Sequence, residues 1–174
     1  IEDALKTLYE AKKVDEFNSD IDYNLSITHK AIKSFNDAIR FIDSAIKLQP
    51  KNLIYKILKA DILIESFQNE RAKELLINLK LSKDSSLFFQ REILISKAYI
   101  NQKKYILAEK VLLKLRKVFN KECILYLSFS DLYFKNKELE KGILILKEGI
   151  NNFPKFIPLR LSLIHISEPT RQHH

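Results

Sequence analysis

Two glycines and four prolines in 174 residues leave this chain little turn-forming chemistry. Strand-and-turn folds rely on those residues to set φ at their turns, so the shortage argues for helices joined by short connections. The one cysteine, Cys123, excludes a disulfide within the chain and a cysteine metal cluster. Long apolar runs are missing too. The longest, CILYLSFS, has eight residues before Asp131, far short of the ~18 that read as a membrane span. There is no methionine, and the chain opens on Ile1, so the lack of a signal peptide carries no weight.

Acidic residues are also short, at 22 against 30 Lys and Arg, for a net charge of +8. Such an excess suits nucleic acid or an anionic membrane surface. Here lysine greatly outnumbers arginine and is scattered along every helix beside many Ile and Asn, the usage of an AT-rich genome. Runs such as NQKK are short and broken by apolar residues. A nucleic-acid patch gathers its charge on one element, so nucleic acid is not an expected partner. Hydrophobic residues at 46% and charged residues at 30% describe a folded chain.

What the sequence does contain is a repeat. AIRFIDSAIKLQP (38–50) and GILILKEGINNFP (142–154) share a small residue, an aliphatic four later, a small one three after that, then Pro five on. The units begin at Ala4, Ala38, Ala72, Ala108 and Gly142, in steps of 34, 34, 36 and 34. A second marker, His29, Leu63, Tyr99 and Tyr133, steps by 34, 36 and 34. Two markers with one period and one shared insertion define the repeat. Small residues there let antiparallel helices cross closely, since a larger Cβ forces the axes apart. Both glycines, Gly142 and Gly149, fall at such crossings, which offsets the roughly 0.5–1 kcal/mol that Gly costs a helix interior.

Helices are expected at 1–13, 20–33, 35–48, 53–66, 69–81, 87–101, 105–117, 122–135 and 139–151, each with apolar residues three and four apart. Lys59 stands where an apolar residue is expected, so the first helix of the second unit reads as rotated or slipped.

The pattern resembles the tetratricopeptide repeat, W-x2-L-G-x2-Y…A-x3-F…P over 34 residues. Tyr126-x2-Phe129-Ser130-x2-Tyr133, Gly142, Leu146, Gly149 and Pro154 match it best. The third unit offers Ile95-Ser96-x2-Tyr99, Tyr105, Ala108 and Leu112. The first offers Leu25-Ser26-x2-His29, Phe35, Ala38, Ile42, Ala45 and Pro50. No unit has the Trp. The resemblance implies an all-α fold, a right-handed α-solenoid of helix pairs over 1–160. It would have an orphan helix at 1–18 and four repeats at about 19–52, 53–88, 89–122 and 123–156. The first helix carries a second-helix signature, Ala4–Leu8–Ala11, and reads as the start of a fragment whose truncated ends could self-associate.

Residues 161–171, LSLIHISEPTR, resemble the translated adapter of transposase-based sequencing libraries. The expectation is a non-native tail at 161–174 that packs poorly, or is helical where Leu161–Ile166 extends a next repeat's first helix. His165, His173 and His174 in it are then no metal site.

Catalytic constellations do not emerge. His29 stands where a packed aromatic belongs, Cys123 lacks a basic partner, and SAIK (44–47) has no companion motifs. With two glycines there is no phosphate loop. The expectation is no enzyme, no cofactor and no metal.

The resemblance further implies that the first helix of each pair lines a concave, peptide-binding groove. Its stripe would be Tyr23, Asn24, Ile27 and Lys30, then Ile57, Leu58, Asp61 and Ile64. Ile93, Leu94, Lys97 and Ile100 follow, then Leu127, Ser128, Asp131 and Phe134. Asp61, Lys97 and Asp131 recur at one place and could pair with one another. Tyr23 and Ile27 occupy the places of the Lys and Asn with which some family members grip chaperone tails, which argues against a co-chaperone. The expected function is a protein–protein interaction scaffold for a peptide or helix, probed by Ile64→Asp or Phe134→Asp. The alternatives are an accessory arm of a larger enzyme, such as a glycosyl- or sulfotransferase, and an RNA-binding helical repeat. The partner is unknown, and the cytoplasm is favoured over the periplasm.

Overall fold

The structure, a computed structural model, describes residues 1–167. Every regular element among them is helical: α1 (Glu2–Val14), α2 (Ser19–Ala31), α3 (Phe35–Leu48), α4 (Leu53–Glu65), α5 (Asn69–Ile77), α6 (Ser86–Asn101), α7 (Tyr105–Val118), α8 (Cys123–Lys135), α9 (Leu139–Asn152) and α10 (Ile157–Ser167). The chain divides into two compact units between Leu94 and Ile95, inside α6.

In the first unit α2 packs on α3, α3 on α4, α4 on α5, and α1 on α2. Its core includes Ala38, Ile42, Ala45, Tyr55 and Ile62. The close crossing is direct at Ser26, whose hydroxyl donates to the Ala38 carbonyl at 2.9 Å. Ala38, Ala72, Ala108 and Gly142 are all buried, as are Ser26, Ala60, Ser96 and Ser130 on the first helices. A Leu at Ala38 would overpack this crossing at a cost of roughly 1–3 kcal/mol. Ala4 differs from the others: it is exposed, and α1 buries no residue fully. The first helix is held by half-buried Leu5 and Leu8, by the Tyr9 ring edge-on to Phe41 at 5.9 Å, and by polar contacts. Lys12 pairs with the wholly buried Asp22 at 2.8 Å, whose other oxygen accepts from Ser44 of α3 at 2.6 Å. The Tyr9 hydroxyl meets His29 Nε2 at 2.9 Å.

Lys59 causes no slip. It reaches Asp43 of α3 at 2.6 Å, and Ala60 beside it stays buried. The long aliphatic stem lets a lysine leave a helix face that its neighbour keeps in register.

The turns inside the helix pairs supply a third periodic marker. Lys33, Phe67, Lys103 and Lys137 have φ of 60, 61, 58 and 64°, at the same spacing as the other two. In each turn the next residue donates its N–H five residues back, to the carbonyls of His29, Leu63, Tyr99 and Tyr133 at 2.8–2.9 Å. This is a Schellman closure, whose left-handed position is usually Gly. Here lysine or phenylalanine occupies it, against a cost of about 1–2 kcal/mol.

α5 ends at Ile77, not at 81. The Asn78 side chain donates to the Glu74 carbonyl at 3.0 Å, competing with the helical ladder, and Leu79 is buried from the following loop. The two-residue insertion falls in this region.

In the second unit α7 packs on α8, α8 on α9, and α10 on both α8 and α9. Phe134, expected in the groove, is half-buried and lies against Gly142: a Cβ there would meet its ring at 2.2–2.6 Å. At Gly149 the same atom would meet Tyr126 Cβ at 2.8 Å and Leu159 Cδ1 at 3.1 Å. α10 contains Leu161–Ile166, the stretch expected to be helical if it extended a next repeat, but begins earlier, with Pro158 in its first turn, where a missing N–H costs nothing. The boundary expected at residue 160 falls inside it. Leu159 is fully buried, whereas Leu161 and Ile164 are about half exposed. The rest of the expected tail, residues 168–174, lies outside the described residues.

Candidate functional site

The stripe read from the repeat divides by burial. Ile57, Ile64 and Ile100 are buried within the chain and present no surface to a ligand; they are core residues. Ile64→Asp therefore tests folding, because it would bury an unpaired carboxylate. Tyr23, Asp61, Ile93, Lys97, Leu127, Asp131 and Phe134 are half-buried, and Asn24 and Ile27 are exposed.

In the first unit the structure brings part of the stripe together along the seam of α2 and α4. At one end Tyr23 stacks on Tyr55, with ring centroids 5.1 Å apart. The Tyr55 hydroxyl crosses back to α2, donating to Asp20 Oδ1 at 2.6 Å. Burial and then this hydrogen bond hold the Tyr55 phenol above its ordinary pKa. At the other end Lys30 of α2 reaches two carboxylates of α4, Asp61 and Glu65, the latter at 3.1 Å. Burial pulls the Lys30 pKa down, but its bonds to Asp61 and Glu65 outweigh it, and the net shift is upward. Ile27, 38% exposed, lies on α2 between the two ends. The seam thus presents an apolar side chain flanked by polar anchors, with three carboxylates against one ammonium. Sequence reasoning placed Lys30 and Asp61 in the stripe but not against each other, and it did not find Asp20, Tyr55 or Glu65.

In the second unit Asp131 pairs with Lys135 of its own helix at 3.3 Å. Ser128 donates to the Ile124 carbonyl at 3.0 Å. Leu127 is half-buried, and the Phe134 ring is turned to α9.

Two of the residues weighed for catalysis, His29 and Ser44, are tied into the packing of the first unit. The His29 ring is buried and stacks on Phe41 at 5.3 Å. Ser44 serves Asp22. Cys123 is half-buried at the start of α8. Among the described residues no helix is long and apolar enough to cross a membrane.

No protein-family model matches the chain, and no curated protein does. Solved structures do. A tetratricopeptide-repeat protein of Thermus thermophilus, TTC0263, superposes with a TM-score of 0.74 at 14% identity, covering 94% of this chain and 88% of that one. The fold is that of the tetratricopeptide-repeat proteins, an all-α solenoid class. YrrB, described as a repeat protein of this kind with an unusual peptide-binding site, gives 0.59 at 14% identity over 92% and 82%. Human IFIT1, a dimer solved with m7Gppp-AAAA, gives 0.68 at 16% identity over 95% of this chain and 41% of its own. At these identities the likeness concerns the tetratricopeptide fold alone.

Proposed function

We propose that the chain is a protein-interaction scaffold, and that the α2–α4 seam of its first unit takes a peptide segment. The observation that carries this reading is exposed Ile27 set between two prepositioned anchors, the Tyr23–Tyr55 stack and the Lys30–Asp61–Glu65 cluster. Rigid anchors of this kind lower the ordering cost of binding. The excess of carboxylate favours a ligand with an apolar side chain near a lysine or arginine. The peptide-binding site for which YrrB is named supports the class of ligand.

Selection of a random-peptide display library on the full chain tests this. Enriched peptides should share the apolar-plus-basic pattern. Ile27→Glu and Asp61→Asn should each weaken them at least about tenfold, the loss of one well-placed contact. Both changes spare the core, and Glu65 still holds Lys30. No enrichment, or peptides indifferent to both substitutions, would overturn the reading.

A further inference from the structure

The net charge is unevenly shared between the two units. Residues 1–94 hold 15 Lys and Arg against 15 Asp and Glu, whereas residues 95–174 hold 15 against 7, so the whole +8 lies in the second unit. The sequence pattern alone suggests an even spread, and the unit boundary reveals the asymmetry.

Within the second unit α7 carries a net +3, more than any other helix of the unit. Its outward face carries exposed Lys110, Lys114 and Lys117. Beside them stand Ile106, Leu113 and Val118, at 83%, 48% and 59% exposure. At 3.6 residues per turn these six fall within an arc of about 140°. The one carboxylate of α7, Glu109, is half-buried and engaged by the Tyr133 hydroxyl at 2.9 Å. Arg116 is turned away too, onto Glu148 of α9 and over the Tyr126 ring at 5.4 Å. What remains outward is ammonium and aliphatic carbon. Across the Arg116–Glu148 pair, α9 adds exposed Leu144 and Lys147.

We propose that the outer face of α7 docks shallowly on an anionic lipid bilayer. Lysine is depleted from protein interfaces, whose anchors are Tyr, Trp and Arg. Single-stranded nucleic acid is held by aromatic and arginine stacking, and the arginine of α7 is engaged inward. Exposed aliphatics contribute nothing to a phosphate backbone. A bilayer uses both components: lysine ammoniums meet lipid phosphates, and the aliphatic side chains enter the acyl boundary. Its deformable surface also needs no groove, which suits the outside of a helix. The α2–α4 seam belongs to the other unit, and the two proposals stand or fall separately.

Flotation of the full chain with vesicles tests the proposal. Vesicles of phosphatidylcholine with phosphatidylserine should bind the chain, those of phosphatidylcholine alone should not, and added salt should release it. The triple change Lys110→Ala, Lys114→Ala, Lys117→Ala should weaken partition about 100-fold, from roughly a fivefold factor per lysine near an anionic surface. Ile106→Ser with Leu113→Ser should weaken it at least about tenfold. Both sets are exposed, and unchanged thermal melts would separate lost binding from lost folding. Two outcomes overturn the proposal. One is no binding to the anionic vesicles. The other is binding that needs the lysines but ignores the aliphatics, together with equal binding of a single-stranded RNA oligomer, which would make the face a phosphate-backbone surface.

Discussion

Substituting Gly149 by Ala sets two effects of known size against each other. In an exposed helix interior the change gains about 1 kcal/mol in helix propensity. Here the added Cβ would sit 2.8 Å from Tyr126 Cβ and 2.9 Å from its Cγ, against about 3.5–4.0 Å for an unstrained carbon pair. Tyr126 cannot swing clear, because Cβ is one bond from the α8 backbone. Its hydroxyl accepts from Asn152 at 2.8 Å, and its ring meets Phe153 at 5.7 Å. The two helices must part, at the upper part of the overpacking range of roughly 1–3 kcal/mol. The net is a loss of about 1–2 kcal/mol, or roughly 2–8 °C in melting temperature for a chain of this size. Gly142→Ala is the control. Its Cβ would come nearer to a neighbour, 2.2 Å, but that neighbour is the far end of the half-buried Phe134 ring, which can rotate away. It should therefore cost less than Gly149→Ala despite the shorter distance. Urea and thermal melts followed by far-UV circular dichroism measure both. A Gly149→Ala chain more stable than the parent, or a reversed order of the two, would refute a tight α8–α9 crossing.

Phe67→Gly removes a left-handed phenylalanine that is also exposed. It should stabilise by about 0.5–1 kcal/mol, the αL cost less the entropy of glycine, seen as a higher urea midpoint. Asp22→Ala leaves Lys12 and Ser44 without their shared partner and should cost about 3 kcal/mol. Hydrogen exchange would show protection lost first in α1. Burial, then the hydrogen bond to Glu109, pushes the Tyr133 hydroxyl up to about 12. The unfolded chain releases that proton near pH 10 and the folded chain holds it, so stability declines as pH rises from about 10 towards 12. Absorbance titration of the phenolates should show Tyr133 ionising late, and Tyr133→Phe should flatten the decline.

The helix crossings are legible in the sequence because they depend on a property of single residues. A close approach admits only Ala, Ser or Gly, so Ala38, Ala72, Ala108 and Gly142 announce it wherever the period repeats. The turns are less legible for the opposite reason. A left-handed residue is announced by glycine, and this chain places Lys33, Phe67, Lys103 and Lys137 there. Their backbone hydrogen bonds, which no side chain reports, hold the geometry. α5 shows a local contest: Leu79 fits the apolar spacing and is buried, yet Asn78 ends the helix before it. Only the start of α10, Ile157-Pro158-Leu159, escapes the sequence pattern, because it follows closely on Pro154 and runs into the segment that resembles an adapter.

The candidate site is legible as a stripe but not as a surface. Ile27 and Ile64 are the same residue type at related helix positions, and one is exposed while the other is buried. The distinction depends on what the adjacent helix places over each position, which is set by packing between units of the repeat and not by the period itself. Charge behaves alike. By spacing Lys30 is one more groove lysine, but only the approach of α4 turns it into the link between Asp61 and Glu65. Periodicity therefore identifies which residues can share a face, and exposure of Ile27 beside its fixed polar neighbours is what singles out the proposed seam. A peptide selected on the chain should consequently track Ile27 and Asp61, and be lost with Ile64 only together with the fold.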